Sequence, residues 1–215
     1  MVYETPIHIA AARRSPIGRF DGGLKKFTAP ELASHTAEAT VPEALRPHIC
    51  QVILGQILQA GAGMNTARQV GLKLGIPQAT PAFTVNMVCG SGLKAVALGA
   101  DAIAQGEASL VLAGGVESMS NAPHYAMDAR FGKKLGEPRL RDAILIDGLS
   151  DPLLQRGMGD IAEELACEYG ISRGEQDEFA LQSQQRAAAA REASVASSSA
   201  APEEASTSTG TVRGR

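Results

Sequence analysis

The residues with the clearest chemical potential lie at positions 86–94, which read Asn-Met-Val-Cys-Gly-Ser-Gly-Leu-Lys. Residues 82–88 are rich in types that favour strands, and residues 91–105 have the apolar spacing of a helix. Cys89 is therefore predicted to stand where a strand ends and a helix begins. The positive end of a helix dipole stabilises a thiolate, which is the nucleophilic form of cysteine. The pattern indicates a cysteine nucleophile.

Gly90 and Gly92 flank the start of this helix. They permit a tight turn, leave room for an incoming acyl group, and offer backbone N–H groups that could hold an oxyanion. Two other interpretations stay open. In one, Cys89 is a small buried apolar residue, as many free cysteines are. In the other, the G-x-G-x-x-A pattern opens a dinucleotide-binding domain, although the acidic residue that such domains carry about twenty residues later is missing.

The elements around this segment alternate between strand and helix patterns. Short apolar runs predict four strands, at residues 7–12, 51–58, 82–88 and 110–113. Three helix starts lie between them: a capping box from Thr28 to Glu31, a cap at Asn65, and the start at Ser91. This alternation predicts an α/β fold with helices layered on a sheet.

The pattern changes after Glu117. Residues 119–155 are rich in Gly and Pro and are expected to be loop-like, and so long an irregular stretch is usually functional. Two further helices are predicted, one at 160–169 and one opened by the capping box from Ser172 to Glu175. Residues 193–215 are mostly small and polar and are expected to form no packed element.

Composition excludes several classes of protein. The 215 residues include 44% hydrophobic and 20% charged residues, which is ordinary for a globular chain. The net charge of -3 argues against a nucleic-acid binder, and the absence of a long apolar run argues against a membrane span or an N-terminal leader. Three cysteines without a C-x-x-C pair suggest neither a disulfide framework nor a zinc site. A reducing, cytoplasmic location is expected.

Several stretches occur together in an order that resembles the thiolase family, in its acetyl-CoA acetyltransferase branch. They are residues 18–23, 59–69, 86–94, 113–123, 147–149, 158–159 and 171–180. The resemblance covers about residues 5–192 and implies a thiolase-like, layered α/β/α N-terminal domain. It divides the chain into an incomplete N-terminal domain at 1–118, part of an inserted loop domain at 119–192, and a tail at 193–215.

The resemblance also implies a reaction. Cys89 would take an acyl group from an acyl-CoA as a thioester, and acetyl-CoA or CoA would then resolve it, forming acetoacetyl-CoA or cleaving a 3-ketoacyl-CoA. Leu149 and Met158 match positions that line the CoA tunnel. No metal or redox cofactor is implied; acyl-CoA and CoA are the expected partners, and a homodimer or homotetramer is the expected assembly.

Parts of the thiolase pattern have no counterpart in this chain. Family members are about twice as long, and their second half supplies an activating histidine in a Gly-His-Pro setting and a second, glycine-flanked cysteine. A catalytically inactive thiolase fragment is therefore an open alternative. The tail is interpreted either as a change of reading frame near residue 192 or as a disordered end. Gly157 stands where the acetyltransferase branch often has a histidine, so the acyl-chain preference is not implied.

Overall fold

Strand β1 (Gln51–Gly55) lies at the centre of a three-stranded parallel sheet. It pairs on one side with β2 (Ala82–Val85) and on the other with β3 (Val111–Gly115). The computed structural model describes residues 6–193, which fall into two units, residues 6–123 and residues 124–193. The sheet belongs to the first unit, as do the first three α-helices.

Helices cover both faces of this sheet because alternate residues of each strand point to opposite sides. Helices α1 (Ala29–Thr40) and α2 (Thr66–Lys73) share one face with the buried core. Helix α3 (Ser91–Ala104) lies on the other face. The core on the first face is formed by Ala37, Ile49, Val52, Leu54, Ala67, Val70, Leu74 and Ile76. The unit is thus a layered α/β/α fold, as the sequence predicts.

The strand order β2-β1-β3 indicates which edge of the sheet is suited to a site. Helix α2 connects β1 to β2 across one face, and α3 connects β2 to β3 across the other. The winding therefore reverses between β1 and β3. In open α/β sheets, ligands bind outside the carboxyl ends of the strands at such a reversal. The carboxyl edge of this sheet is the expected place for a site.

Side-chain caps set the helix starts, as their sequence signals predict. The carboxylate of Glu31 accepts hydrogen bonds from the N–H of Thr28 at 2.8 Å and from its hydroxyl at 2.7 Å. These bonds lower the pKa of Glu31, the backbone N–H being the larger cause. The side-chain oxygen of Asn65 accepts the N–H of Arg68 at 3.2 Å. Both caps satisfy backbone donors that a helix start leaves unpaired.

The prediction of a strand at residues 7–12 is wrong. Residues 6–19 have no regular secondary structure, and Ile9 is 78% exposed. A strand needs a neighbour that accepts its backbone hydrogen bonds, and no strand in residues 6–193 pairs with this segment. Apolar and β-branched residues favour strands, but a segment without a pairing partner stays irregular.

The second unit contains two two-stranded antiparallel ladders and two α-helices. Its elements are β4 (His124–Tyr125), a 3-10 turn (Ala129–Phe131), β5 (Arg141–Asp142), a π-helical turn (Ile144–Leu149), β6 (Ser150–Asp151), β7 (Arg156–Gly157), α4 (Met158–Glu168) and α5 (Arg173–Ala193). The unit begins a few residues after the expected boundary at 118/119, and the expected tail lies almost wholly outside the described residues. Within residues 6–193 there is no helix with the length and apolarity to cross a membrane.

Helix α3 meets the sheet through direct contact between main chains. A Cβ atom on Gly55, at the end of β1, would lie 2.4 Å from the carbonyl carbon of Ser91. A Cβ on Gly115, at the end of β3, would lie 2.9 Å from the Cα of Gly92. Both distances are too short for non-bonded atoms, and backbone atoms cannot rotate away as a flexible side chain can. Glycine at these two strand ends therefore sets how closely the helix start approaches the sheet.

We predict that Gly55→Ala lowers the free energy of unfolding by about 3 kcal/mol, because the added methyl must push α3 off the strand. Gly71→Ala is the matched control: it lies inside α2, where its Cβ would be an ordinary 3.5 Å from Val52 Cγ2. We expect Gly71→Ala to be neutral or stabilising by up to about 1 kcal/mol, from its higher helix propensity. Urea unfolding followed by circular dichroism compares the two, and equal stability would contradict the close contact.

Tyr125 in β4 donates a hydrogen bond from its hydroxyl to Asp147 Oδ2 at 2.5 Å. This bond, with a smaller contribution from burial, raises the pKa of Tyr125 to about 12. The unfolded chain keeps the ordinary value of about 10. The stabilisation is therefore fully present below about pH 10 and is lost as the pH rises towards 12.

We predict that Tyr125 ionises near pH 12 when phenolate absorbance is followed against pH. Tyr125→Phe should remove the step near pH 12, and Asp147→Asn should move it towards 10. Tyr169→Phe is the control, because that side chain is 73% exposed and its loss should leave the highest step in place. A titration in which all tyrosines ionise together near pH 10 would contradict the hydrogen bond.

Candidate functional site

Cys89 lies in the short turn between the end of β2 and the start of α3. This is where the sequence places it, at the carboxyl edge of the sheet. The residue is exposed to solvent. The interpretation of Cys89 as a small buried apolar residue is therefore wrong, and the thiol is accessible to a reagent or a substrate.

The turn before Cys89 holds Val88 in an unusual backbone conformation, with φ at +48°. A left-handed conformation costs an L-residue about 1–2 kcal/mol, and a β-branched residue adopts it rarely. Hydrogen bonds hold it in place. The N–H of Val88 donates to Asn86 Oδ1 at 2.9 Å, and the carbonyl of Val88 accepts the Ser91 hydroxyl at 2.6 Å. Strain of this kind clusters at functional sites.

Ser91 joins the turn to the helix. Its hydroxyl oxygen also accepts the N–H of Met87 at 2.8 Å, and the residue is only 4% exposed. One buried side chain therefore binds both the strained residue Val88 and the residue that precedes it. Ser91 belongs to the same sequence motif as Cys89, but the spacing of that motif does not predict these hydrogen bonds.

Backbone N–H groups near Gly90 and Gly92 are expected to hold an oxyanion, and two N–H groups of this segment are already engaged in other hydrogen bonds. Gly90 donates to the carbonyl of Met87 at 3.1 Å, and Ser91 donates to that of Val88 at 3.0 Å. Gly92 lies against Gly115, where its own Cβ would be an ordinary 3.6 Å from the strand Cα. The positions that require glycine are therefore Gly55 and Gly115 at the strand ends, and the sequence pattern does not predict this requirement. The Gly-Gly pair that ends β3 is the signal that could have found one of them.

Polar groups also hold the loop that leaves β1. The buried Gln56, only 2% exposed, accepts the Thr66 hydroxyl and donates to the carbonyl of Leu58 at 2.9 Å. Glu117 Oε2 accepts the N–H groups of Ile57 at 2.9 Å and Leu58 at 3.2 Å. Glu117 thus contacts a backbone far from it in sequence, and no local pattern marks it.

Leu149 and Met158 lie in the second unit, each 42% exposed. Leu149 precedes β6 and Met158 follows β7, and the hairpin pairs Ser150 with Gly157. Leu149 and Met158 are thus the residues that flank the open end of this hairpin, next to the Ser150–Gly157 pair. They are the two residues that the thiolase resemblance selects for the CoA tunnel.

Of the other two cysteines, Cys50 belongs to the first unit and Cys167 to the second. Cys50 precedes β1, at the amino end of the sheet, and its sulfur lies 3.4 Å from the Ser109 hydroxyl. Hydrogen bonds lower the pKa of Cys50, with the Ser109 side chain as the largest cause and the backbone of Ser109 and Leu110 adding to it. Cys167 is exposed on α4. Among the described residues, no three His, Cys, Asp or Glu side chains are grouped to hold a metal ion.

Comparison with known proteins matches residues 7–212 to the family model "Thiolase, N-terminal domain". An acetyl-CoA acetyltransferase of Chromobacterium violaceum is 50% identical over 189 residues, covering 87% of this chain and 48% of the relative. One from Cupriavidus necator is 48% identical over 191 residues, covering 88% and 49%. The chain thus spans about half the length of these relatives.

A solved structure agrees with the sequence relatives. Human mitochondrial 3-ketoacyl-CoA thiolase in complex with CoA superposes with a TM-score of 0.80 at 43% identity, covering 85% of this chain and 47% of that one. The glycine pattern from Gly90 to Ala95 is accordingly the first turn of α3 in a thiolase-like fold, and the dinucleotide-binding interpretation is wrong. The chain belongs to the thiolase family and matches its N-terminal domain.

Proposed function

We propose that this protein is an acyltransferase acting on CoA thioesters, with Cys89 as the nucleophile that carries the acyl group. The observation that supports this best is the exposed thiol in a strained turn at the start of α3, inside a thiolase N-terminal domain. A helix start favours the thiolate, and the exposed position lets a thioester approach.

The proposed step exchanges one thioester for another. The Cys89 thiolate attacks the acyl carbonyl carbon, a new carbon–sulfur bond forms, and the bond to the CoA sulfur breaks, so that CoA leaves as a thiolate. The two thioesters have similar energies, and the step therefore runs in both directions without an oxidant or an energy source. The acyl group then passes either to the carbanion of acetyl-CoA or to CoA itself. We propose no metal or redox cofactor for these steps.

We further propose that Leu149 and Met158 contact the CoA part of the substrate. Their support is their shared position at the open end of one hairpin, where both side chains are exposed. The human thiolase with a similar fold was solved with CoA bound. Basic residues of the same unit could attract the CoA phosphates through their charge. They are Arg130, Lys133, Lys134, Arg139 and Arg141.

The cellular setting is part of the same proposal. We place the protein in the cytoplasm, in fatty acid metabolism, as a homodimer or homotetramer. Cys50, Cys89 and Cys167 are all free thiols, which supports a reducing compartment. Apolar side chains on the outer surface of α3 support assembly with further protein, because Leu93 is 76% exposed there.

We predict that the 215-residue chain, incubated with acetyl-CoA and quenched in acid, gains one acetyl group on the peptide containing Cys89. Mass spectrometry of the digested protein locates the group. Cys89→Ala should abolish the labelling, and Cys50→Ala is the matched control that should leave it unchanged. Equal acetylation of Cys50 and Cys89 would contradict selective transfer, because both thiols would then be reacting as ordinary nucleophiles.

Thiolysis of acetoacetyl-CoA by the same preparation separates the proposed reaction from the inactive alternative. Turnover that depends on Cys89 supports the complete acyltransferase. Acetylation without turnover limits this chain to the first half-reaction. The absence of both contradicts the proposal and supports a catalytically inactive thiolase fragment.

A further inference from the structure

Glu117 lies where the chain leaves β3, at the reversal between β1 and β3. Its Oε2 accepts hydrogen bonds from two consecutive N–H groups of the segment that leaves β1, those of Ile57 and Leu58. One carboxylate oxygen thus binds the exit of one strand to the exit of the next. The N–H of Val116 donates to the carbonyl of Gly55 at 3.0 Å and extends the same connection.

The other oxygen of this carboxylate is unusual. Oε1 is buried, and it has no hydrogen-bond partner among the described residues. Burying a polar atom without a partner is costly, and such groups are rare enough to need an explanation. An apolar residue in this place would avoid the cost of Oε1 but would leave the N–H groups of Ile57 and Leu58 without their acceptor. The arrangement therefore points to a role for the bonds made by Oε2.

A continuous set of contacts leads from these bonds to the nucleophile. Gly55 and Gly115, at the two strand ends that Glu117 and Val116 hold together, pack directly on the backbone of Ser91 and Gly92. The Ser91 hydroxyl in turn fixes the carbonyl of Val88, next to Cys89. A change in the spacing of the two strand ends would move the start of α3, because backbone packed on backbone has no side chain to absorb the shift.

We propose that Glu117 is a positioning residue for Cys89. Its carboxylate sets the separation of the β1 and β3 exits, and these exits seat the first turn of α3 so that the turn before it keeps its strained form. Glu117 does not touch the substrate and takes no part in bond making. The proposal rests on the proposed function only in taking Cys89 as the nucleophile.

The test measures alkylation of Cys89 by iodoacetamide as a function of pH in the 215-residue chain, peptide by peptide so that Cys50 and Cys167 are counted separately. The variants are Glu117→Ala, which removes the acceptor, and Glu117→Gln, which keeps a carbonyl oxygen that can accept both N–H groups. Val70→Ala is the matched control: it destabilises the core of the same unit on the face opposite α3. Iodoacetamide does not require CoA binding.

We expect Glu117→Ala to slow alkylation of Cys89 about two- to fivefold near neutral pH and to change its pH profile, the size of effect expected when a thiolate loses its alignment with a helix start. Glu117→Gln should retain the wild-type profile. Val70→Ala should also retain it, although it unfolds more easily. If Glu117→Ala does not fold, Glu117→Asp, whose shorter arm cannot reach both N–H groups, replaces it with the same expectation.

Three results would overturn the proposal. An unchanged profile in Glu117→Ala would show that Cys89 does not depend on this carboxylate. The same slowing in Val70→Ala would reduce Glu117 to a contributor to stability. Slowing of Glu117→Gln to the level of the alanine variant would show that acceptance of the two N–H groups does not position Cys89, because loss of a negative charge favours a thiolate. Acetylation by acetyl-CoA is measured on the wild-type chain alone, so failure of the proposed function leaves this comparison intact.

Discussion

The contact on which the rest of this structure depends is the approach of the first turn of α3 to the ends of β1 and β3. It is made by main-chain atoms on both sides, at distances that leave no room for a Cβ on Gly55 or Gly115. Side-chain packing normally separates a helix from a sheet by the thickness of at least one side chain. Because no side chain lies between them here, the positive end of α3 lies directly at the carboxyl edge of the sheet, where the winding reverses. The position of Cys89 follows from that approach.

Polar groups are arranged differently at the two ends of the sheet. At the carboxyl edge, side chains bind backbone groups: Asn86 and Ser91 bind Val88 within the turn before α3, and Glu117 binds the segment that leaves β1. At the amino end, Cys50 has a lowered pKa caused mainly by Ser109. A lowered thiol pKa therefore does not by itself mark the functional end of this fold. Exposure and the conformation of the turn distinguish Cys89.

The features that sequence predicts here are those set by near neighbours. The capping boxes at Thr28 and Ser172 each join residues three apart, and both form as expected. The strand-to-helix position of Cys89 follows from two adjacent periodic segments. The segment at 7–12 fails because pairing is decided by another part of the chain. Residue type alone could not separate these cases.

The support of the site was beyond prediction for the same reason. Glu117 and Ile57 are 60 residues apart, and nothing between them signals their contact. Val88 gives no warning of its positive φ, because valine is among the residues least suited to it. Family resemblance selected the right segments but not the bonds that hold them. Those bonds become visible only when the strand ends are placed side by side.

The main-chain contact at α3 also limits how this region can change over generations. In an ordinary core, a larger residue at one position can be accommodated by a smaller one at its neighbour, so that two substitutions compensate each other. Gly55 and Gly115 face backbone atoms, which no substitution can make smaller. Neither position has a compensating partner, so each must stay glycine for as long as the helix sits where it does.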